Sequence, residues 1–143
     1  QELVSRLLAL VDEDTEAFNR IMAVFAMPKT TAEEKAARSA ALQSATLYAT
    51  EVPLKTMKAA YECFEIVKAM AEIGNPNSVS DAGVGALAAR SAVLGAELNV
   101  KINAAGLKDS QTAERLISEA NEIARKAIAQ EAEILQIVNQ KIG

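Results

Sequence analysis

"DAGVGALAARSAVLGAELNVKINAA", residues 81 to 105, decides the fold class. It is rich in alanine and free of proline, and nothing in it alternates with the period of two that a half-buried strand requires. Alanine is the strongest helix former, and its small side chain lets helices approach closely. Ser78 or Ser80 stands where a helix N-cap belongs, and Gly106 follows as a stop. At about 100° per residue the segment has three faces. Leu87, Leu94, Leu98 and Ile102 read as a core flank. Arg90, Glu97 and Lys101 form a solvated back, with Glu97 and Lys101 at the favourable four-residue spacing. The third face carries Asp81, Gly85, Ala88, Ala92, Gly95, Ala96, Asn99 and Asn103: small residues suited to a close helix seam, with polar groups at both ends. Asp81 and Asn99 are roughly 27 Å apart along such a helix. They cannot serve one small-molecule site in the same chain, whereas a second copy packed antiparallel would bring one chain's Asp81 towards the other's Asn99.

Other helices extend from this one in both directions. Leu3, Leu7, Leu10, Phe18, Ile21 and Phe25 recur at helical steps, giving an amphipathic helix to about Met27, ended by Pro28. Thr31 and Glu34 have the spacing of a capping box and open a second helix near Ala32. Pro53 falls inside that helix and leaves the carbonyl of Ala49 without its backbone partner, so a kink or short break is expected. A further helix carries Met57, Tyr61 and Phe64 on one side and stops at "GNPN", residues 74 to 77. The last begins after Asp109 and Ser110 and buries Leu116, Ile123, Ala127, Ile134 and Val138. The reading is one all-α domain, residues 1–143, built as an up-and-down bundle with a Pro-kinked helix near residue 53.

Composition excludes several kinds of function. There is no histidine, so acid–base work falls to carboxylates, lysines, Tyr48, Tyr61 or Cys63, and His-containing zinc sites and serine–histidine triads are ruled out. No metal is expected. The net charge of −4 leaves no basic footprint for nucleic acid and no polybasic membrane patch. No stretch is long and apolar enough to span a bilayer. Cys63 is alone, which fits a reducing, cytoplasmic setting. The chain starts at Gln1 with residues that already read as helix interior, so its natural N-terminus is expected to lie upstream.

In "VDEDTEAF", residues 11 to 18, the helical wheel separates four acids. Asp12 and Glu16 lie opposite the apolar stripe and Glu13 on its flank. Asp14 falls within the stripe of Leu7, Leu10, Phe18 and Ile21. An ionised carboxylate there is costly unless paired, so Asp14 is expected to be either a buried, satisfied aspartate or a functional carboxylate.

Taken in order, "VDEDTEAF", "MPKTTAEEKAARSAALQ", "VPL", "GNPNSVSDAGV" and "NVKIN" resemble the cyclodeaminase domain of the formiminotransferase-cyclodeaminase family. The resemblance covers residues 11 to 103. It implies an all-helical homodimer or higher homo-oligomer, and a folate reaction: cyclisation of 5-formiminotetrahydrofolate to 5,10-methenyltetrahydrofolate with release of ammonia. Such chemistry holds two nitrogens at attack distance and delivers a proton to the departing one. The resemblance implies Asp14 and Asp81 as catalytic carboxyls, with a pKa raised by burial. Asn99, Asn103 and Ser80 would bind substrate, while Lys29 and Lys55 would attract the glutamate tail of a folate, polyglutamylated or not. The family's glycine-rich "PGGGS"-like segment has no counterpart here. Two alternatives stay open: methenyltetrahydrofolate cyclohydrolase, and a helical oligomerisation module without catalysis.

Overall fold

The computed structural model describes residues 1–143. Four helices follow in chain order: α1 (Glu2–Phe25), α2 (Ala32–Ile73), α3 (Val79–Ala104) and α4 (Ser110–Ile142), with a short 3-10 turn at Pro76–Ser78 ahead of α3. Pairs of residues across the helices set their directions. Arg6 reaches Glu62 and Lys55 reaches Glu13, so α1 and α2 are antiparallel. Gln43 donates to the Gly106 carbonyl while Val67 lies against Gly85, which makes α2 and α3 antiparallel. Arg90 faces Glu131 and Gly83 faces Val138, which does the same for α3 and α4. The all-α, up-and-down bundle read from the sequence is the observed one. No helix is long and apolar enough to cross a membrane.

The caps are where local sequence places them. Thr31 Oγ1 accepts from the Glu34 backbone N–H at 3.1 Å, and the Glu34 carboxylate accepts from the Thr31 N–H at 3.0 Å, closing a capping box. Asp109 accepts from the Thr112 N–H at 3.1 Å and opens α4. Ser78 occupies the N-cap position of α3, but its hydroxyl makes no capping bond.

The core belongs to α2, α3 and α4. Met57 and Phe64 from α2, Val93 and Val100 from α3, and Leu116 and Ile134 from α4 are fully buried in one cluster, cemented by alanines on these three helices. Burying each of the large side chains stabilises the fold by about 1.5–3 kcal/mol. No residue of α1 joins that cluster. Leu10, Ala17 and Val24 bury one edge of α1 along α2, and the rest of its apolar face stays open. Phe18 and Phe25, expected inside, are exposed for this reason.

The face assignment of α3 also needs correcting. Leu87, Leu98 and Ile102 are exposed and only Leu94 packs against the core. The buried line is instead Val79, Ala82, Gly83, Ala86, Ala89, Val93, Ala96, Val100 and Ala104. Helix α3 runs between α2 and α4, and axes that close admit only small or β-branched side chains. A Cβ on Gly83 would already sit 3.3 Å from Val138 Cγ1. The long side chains are therefore turned outwards.

Helix α2 runs unbroken through Pro53, which is buried. Of the kink or short break expected there, the break does not occur, and the orphaned carbonyl has found another donor. Asn103 Nδ2 donates to Ala49 O at 2.7 Å, taking the place of the missing N–H of residue 53. Asn103→Ala should consequently cost about 1–3 kcal/mol, the price of stranding a part-buried acceptor. In a Pro53→Ala background the carbonyl regains its backbone partner, so the same substitution should cost clearly less. A denaturant double-mutant cycle measures the difference, and equal costs in both backgrounds would remove this explanation.

Candidate active site

Because α1 rests on α2 alone, a cleft of ≈ 460 Å³ remains between α1 and α3, with α2 as its floor. Leu7, Leu10, Pro53, Ala92 and Ala96 give it apolar walls. Asp14, Thr15, Thr56, Ser91 and Asn99 supply the polar groups. Gly95 keeps the α3 wall low: a Cβ there would meet nothing within 4 Å. Thr15 and Thr56 donate their hydroxyl protons to the carbonyls of Val11 and Val52, so their oxygens face outwards as acceptors. An apolar cavity with a few convergent polar groups is the usual form of a small-molecule site.

Asp14 is exposed, not buried. Its stripe was read correctly, but the side of α1 that carries it has no second helix to cover it. It takes part in none of the ion pairs of the chain. An unpaired carboxylate on a partly apolar wall attracts cations and can accept a proton.

The cleft brings together two of the residues singled out from the sequence, Asp14 and Asn99. The others lie elsewhere. Asp81 and Ser80 are exposed in the first turn of α3, and Asp81 is about 15 Å along the axis from Ser91. Asn103 spends its amide N–H on Ala49 O. Lys55 lies on the other side of α1, in a smaller hollow with Arg6 and Lys58, where it donates to Glu13 at 2.7 Å. That hydrogen bond raises its pKa and keeps it charged. Lys29 is exposed at the α1–α2 turn. Thr15, Thr56 and Ser91 were missed: periodicity places them beside Asp14 and Asn99 only once the relative rotation of the three helices is known.

Two competing sites are weaker. Burial, reinforced by Glu62, pushes the Cys63 thiol up, which disfavours a reactive thiolate. A hollow of ≈ 490 Å³ beside α2 is lined by Glu62, Glu65 and Glu72, and its Lys68 is held by Glu133. Its charge would repel an anionic ligand. No cluster of three or more carboxylate, thiol or imidazole groups is arranged as a metal site.

The family model of formiminotransferase-cyclodeaminase matches residues 1–122. The chain belongs to that family. It is 39% identical over 137 residues to the methenyltetrahydrofolate cyclohydrolase of Methylorubrum extorquens, a match covering 96% of this chain and 66% of that one. It is 34% identical over 128 residues to the formimidoyltransferase-cyclodeaminase of Dictyostelium discoideum, covering 90% of this chain and 23% of the relative. The fold matches the crystal structure of formiminotetrahydrofolate cyclodeaminase from Thermotoga maritima with a TM-score of 0.84 at 22% identity, over 99% of this chain and 67% of that one. The chain thus spans about two thirds of the bacterial relative and a quarter or less of the Dictyostelium one.

Proposed function

We propose that this chain is a folate enzyme that works on the one-carbon bridge between N5 and N10 of tetrahydrofolate, closing 5-formiminotetrahydrofolate to the 5,10-methenyl form with loss of ammonia. Family membership and the names of two of the relatives support the substrate class. The observation that carries the reading to particular residues is the cleft that holds Asp14 and Asn99 together.

The chemistry suits an exposed Asp14. A formimino group is an amidine and is protonated near neutral pH, so the reacting carbon is already electrophilic and its cation is drawn to the carboxylate. N10 attacks that carbon and forms its third C–N bond, the C=N π electrons passing to the exocyclic nitrogen. The tetrahedral aminal then carries an N10–H proton, which Asp14 accepts. Asp14 returns the same proton to the exocyclic nitrogen as its bond to carbon breaks and ammonia leaves. Atoms and charge balance: one cationic amidinium gives one cationic methenyl product and neutral ammonia. Asp14 ends as it began, having carried one proton from N10 to the leaving nitrogen. Asn99 is placed to hydrogen-bond the pterin edge, and the apolar walls hold the rings so that N10 and the formimino carbon stay within reach. The roles first suggested for Asp81, Ser80, Asn103, Lys29 and Lys55 draw no support from the cleft.

Hydrolysis of the methenyl bridge is the second reading, favoured by the 39% identity to the Methylorubrum cyclohydrolase. The same cleft would then hold the methenyl cation while Asp14 accepts a proton from the attacking water. Assaying the purified chain for ammonia release from the formimino compound, and separately for loss of methenyl absorbance, decides between the two. Neither activity in a folded sample would leave the non-catalytic module. A cytoplasmic setting belongs to the same proposal and is supported by the free Cys63.

A homodimer is part of this reading as well. Val84, Ala88, Ser91, Gly95, Leu98 and Ile102 follow one another at steps of four and three along the outward side of α3, and all are exposed or open. Turned about a twofold axis near residue 93, this side of α3 matches itself: Ala88 meets Leu98 and Val84 meets Ile102, and because Ser91 and Gly95 also line the cleft, the partner's α3 would cover part of its mouth. Leu98→Asp should convert a dimer into a folded monomer, as read by sedimentation velocity and circular dichroism. A wild-type chain that sediments as a monomer at all concentrations would overturn it.

A further inference from the structure

Five of the six glycines have a reason within the chain itself. A Cβ at Gly74 would strike the Met70 carbonyl, and Gly143 ends the chain at a φ of +96°. At Gly83, Gly85 and Gly106 a Cβ would press on Val138, Val67 and Thr46, at 3.3, 3.2 and 3.2 Å. Gly95 is the exception. It lies in the interior of α3 without a positive φ, and a Cβ there would meet nothing within 4 Å. Glycine in a helix interior is destabilising relative to alanine, because it loses more backbone freedom on folding. Alanine would therefore fit the fold at position 95 and strengthen α3. The open space beside Gly95 belongs to the cleft, so what uses it lies outside the packed chain.

The helix registers show what stands across that space. Glu13 pairs with Lys55 and Arg6 with Glu62, while Gly85 lies against Val67 and Asn103 against Ala49. These registers put Val11 and Gly95 at one level, that of Met57 in α2. Thr15 and Asn99 share the next, at Pro53, with Asp14 beside them. The cleft is thus graded along its length. Its middle level is walled by Leu10, Val11, Ala92, Gly95 and Ala96. Thr56 alone brings a polar side chain there, and its hydroxyl proton is engaged by the Val52 carbonyl. One turn further along, Asp14, Thr15 and Asn99 gather polar groups at a single level.

We propose that Gly95 is the specificity-determining residue of this cleft, its bare backbone forming the wall against which the aryl ring on N10 of the substrate lies. The inference rests on the folate reading. A pterin edge carries amino, amide N–H and carbonyl groups, which the apolar middle level would leave without partners. A benzene ring has apolar faces and suits a slot between Val11 and the backbone at 95. With the ring at this level, the pterin edge falls at Asn99 and the N5–N10 bridge beside Asp14. A side chain at 95 would take the space of the ring and push the bridge away from the carboxylate.

Gly95→Ala separates this role from a structural one, because stability and binding should move in opposite directions. Its Tm should rise by about 2–5 °C. Calorimetric titration with 5-formyltetrahydrofolate, whose formyl group has no ammonia to lose, should show affinity falling about tenfold. Millimolar 6-methyltetrahydropterin, which lacks the aryl ring, should bind wild type and variant within twofold of each other. Gly95→Leu should lose more than a hundredfold in affinity for the full analogue while keeping its circular dichroism. Equal affinity of wild type and Gly95→Ala for the full analogue overturns the assignment, as does an equal loss for both probes. A fall in Tm would give the glycine a packing role and overturn it too. Sedimentation velocity tests the twofold seam: an affinity loss that disappears at concentrations restoring a dissociated dimer assigns Gly95 to that seam instead. A wild-type chain that binds neither probe overturns the folate reading and this assignment together, whereas wild-type binding left unchanged by Gly95→Ala overturns the assignment alone.

Discussion

Asp14→Asn is expected to lower turnover by about 10²–10⁴-fold, the range typical of a lost acid–base group. The substitution keeps the shape of the side chain and removes its charge and its capacity to take a proton. Asp14 is exposed and outside every ion pair of the chain, so folding should hardly register the change. A surface position of this kind stays within about 0.5 kcal/mol of wild type. Weaker attraction for the cationic substrate should raise KM modestly, while most of the loss falls on kcat. Asp14→Glu moves the carboxylate by one methylene and should recover part of the rate. Steady-state kinetics beside thermal melts checks all of this. Near-normal turnover in Asp14→Asn would remove the residue from the mechanism, and a fall in activity matched by a fall in stability would make it structural.

The largest effect on stability is expected at Phe64. Its ring is 1% exposed and lies 5.7 Å, centroid to centroid, from that of Tyr61, which packs on the same cluster. Phe64→Ala should cost about 3–5 kcal/mol, the transfer of the ring plus the cavity it leaves. For a domain of this size that corresponds to a fall in Tm on the order of 10 °C. Alanines at 60, 71, 86 and 120 line the same cluster and have no long side chain that could swing into the void, which places the cost towards the upper end. Denaturant unfolding measures it. A loss below about 1 kcal/mol would mean that the three-helix core is looser than the burial pattern states.

Some of this was legible in the sequence because it is local. The Thr31–Glu34 capping box, the start of the last helix beside Asp109 and the helical character of the long segments depend on residues a few positions apart and are found as read, except that the two segments read on either side of Pro53 form one helix. Depth was not legible. A wheel assigns Asp14 and Phe18 to the face that carries Leu10, but whether that face is covered depends on how many helices flank it, and α1 has one. In α3 the leucines looked like the core because they are the most apolar residues, yet the space between α2 and α4 admits only alanine, glycine and valine at most positions. Pro53 is a third case. The orphaned Ala49 carbonyl follows from the sequence, whereas its donor, Asn103, is 54 residues away and belongs to another helix. The cleft has the same origin as these misreadings: Asp14 and Asn99 become neighbours only through the way α1 and α3 lean on α2.

The attachment of α1 to α2 alone sets a hierarchy of unfolding. With none of its side chains in the main cluster, α1 can detach at a free-energy cost below that of global unfolding, and its amides should exchange with solvent ahead of those in α3. Asp14 rides on this looser helix, while Ser91 and Asn99 stand on the best-buried one. One wall of the cleft can therefore swing while the other holds still, giving a ligand as broad as a pterin a way in and giving the product a way out.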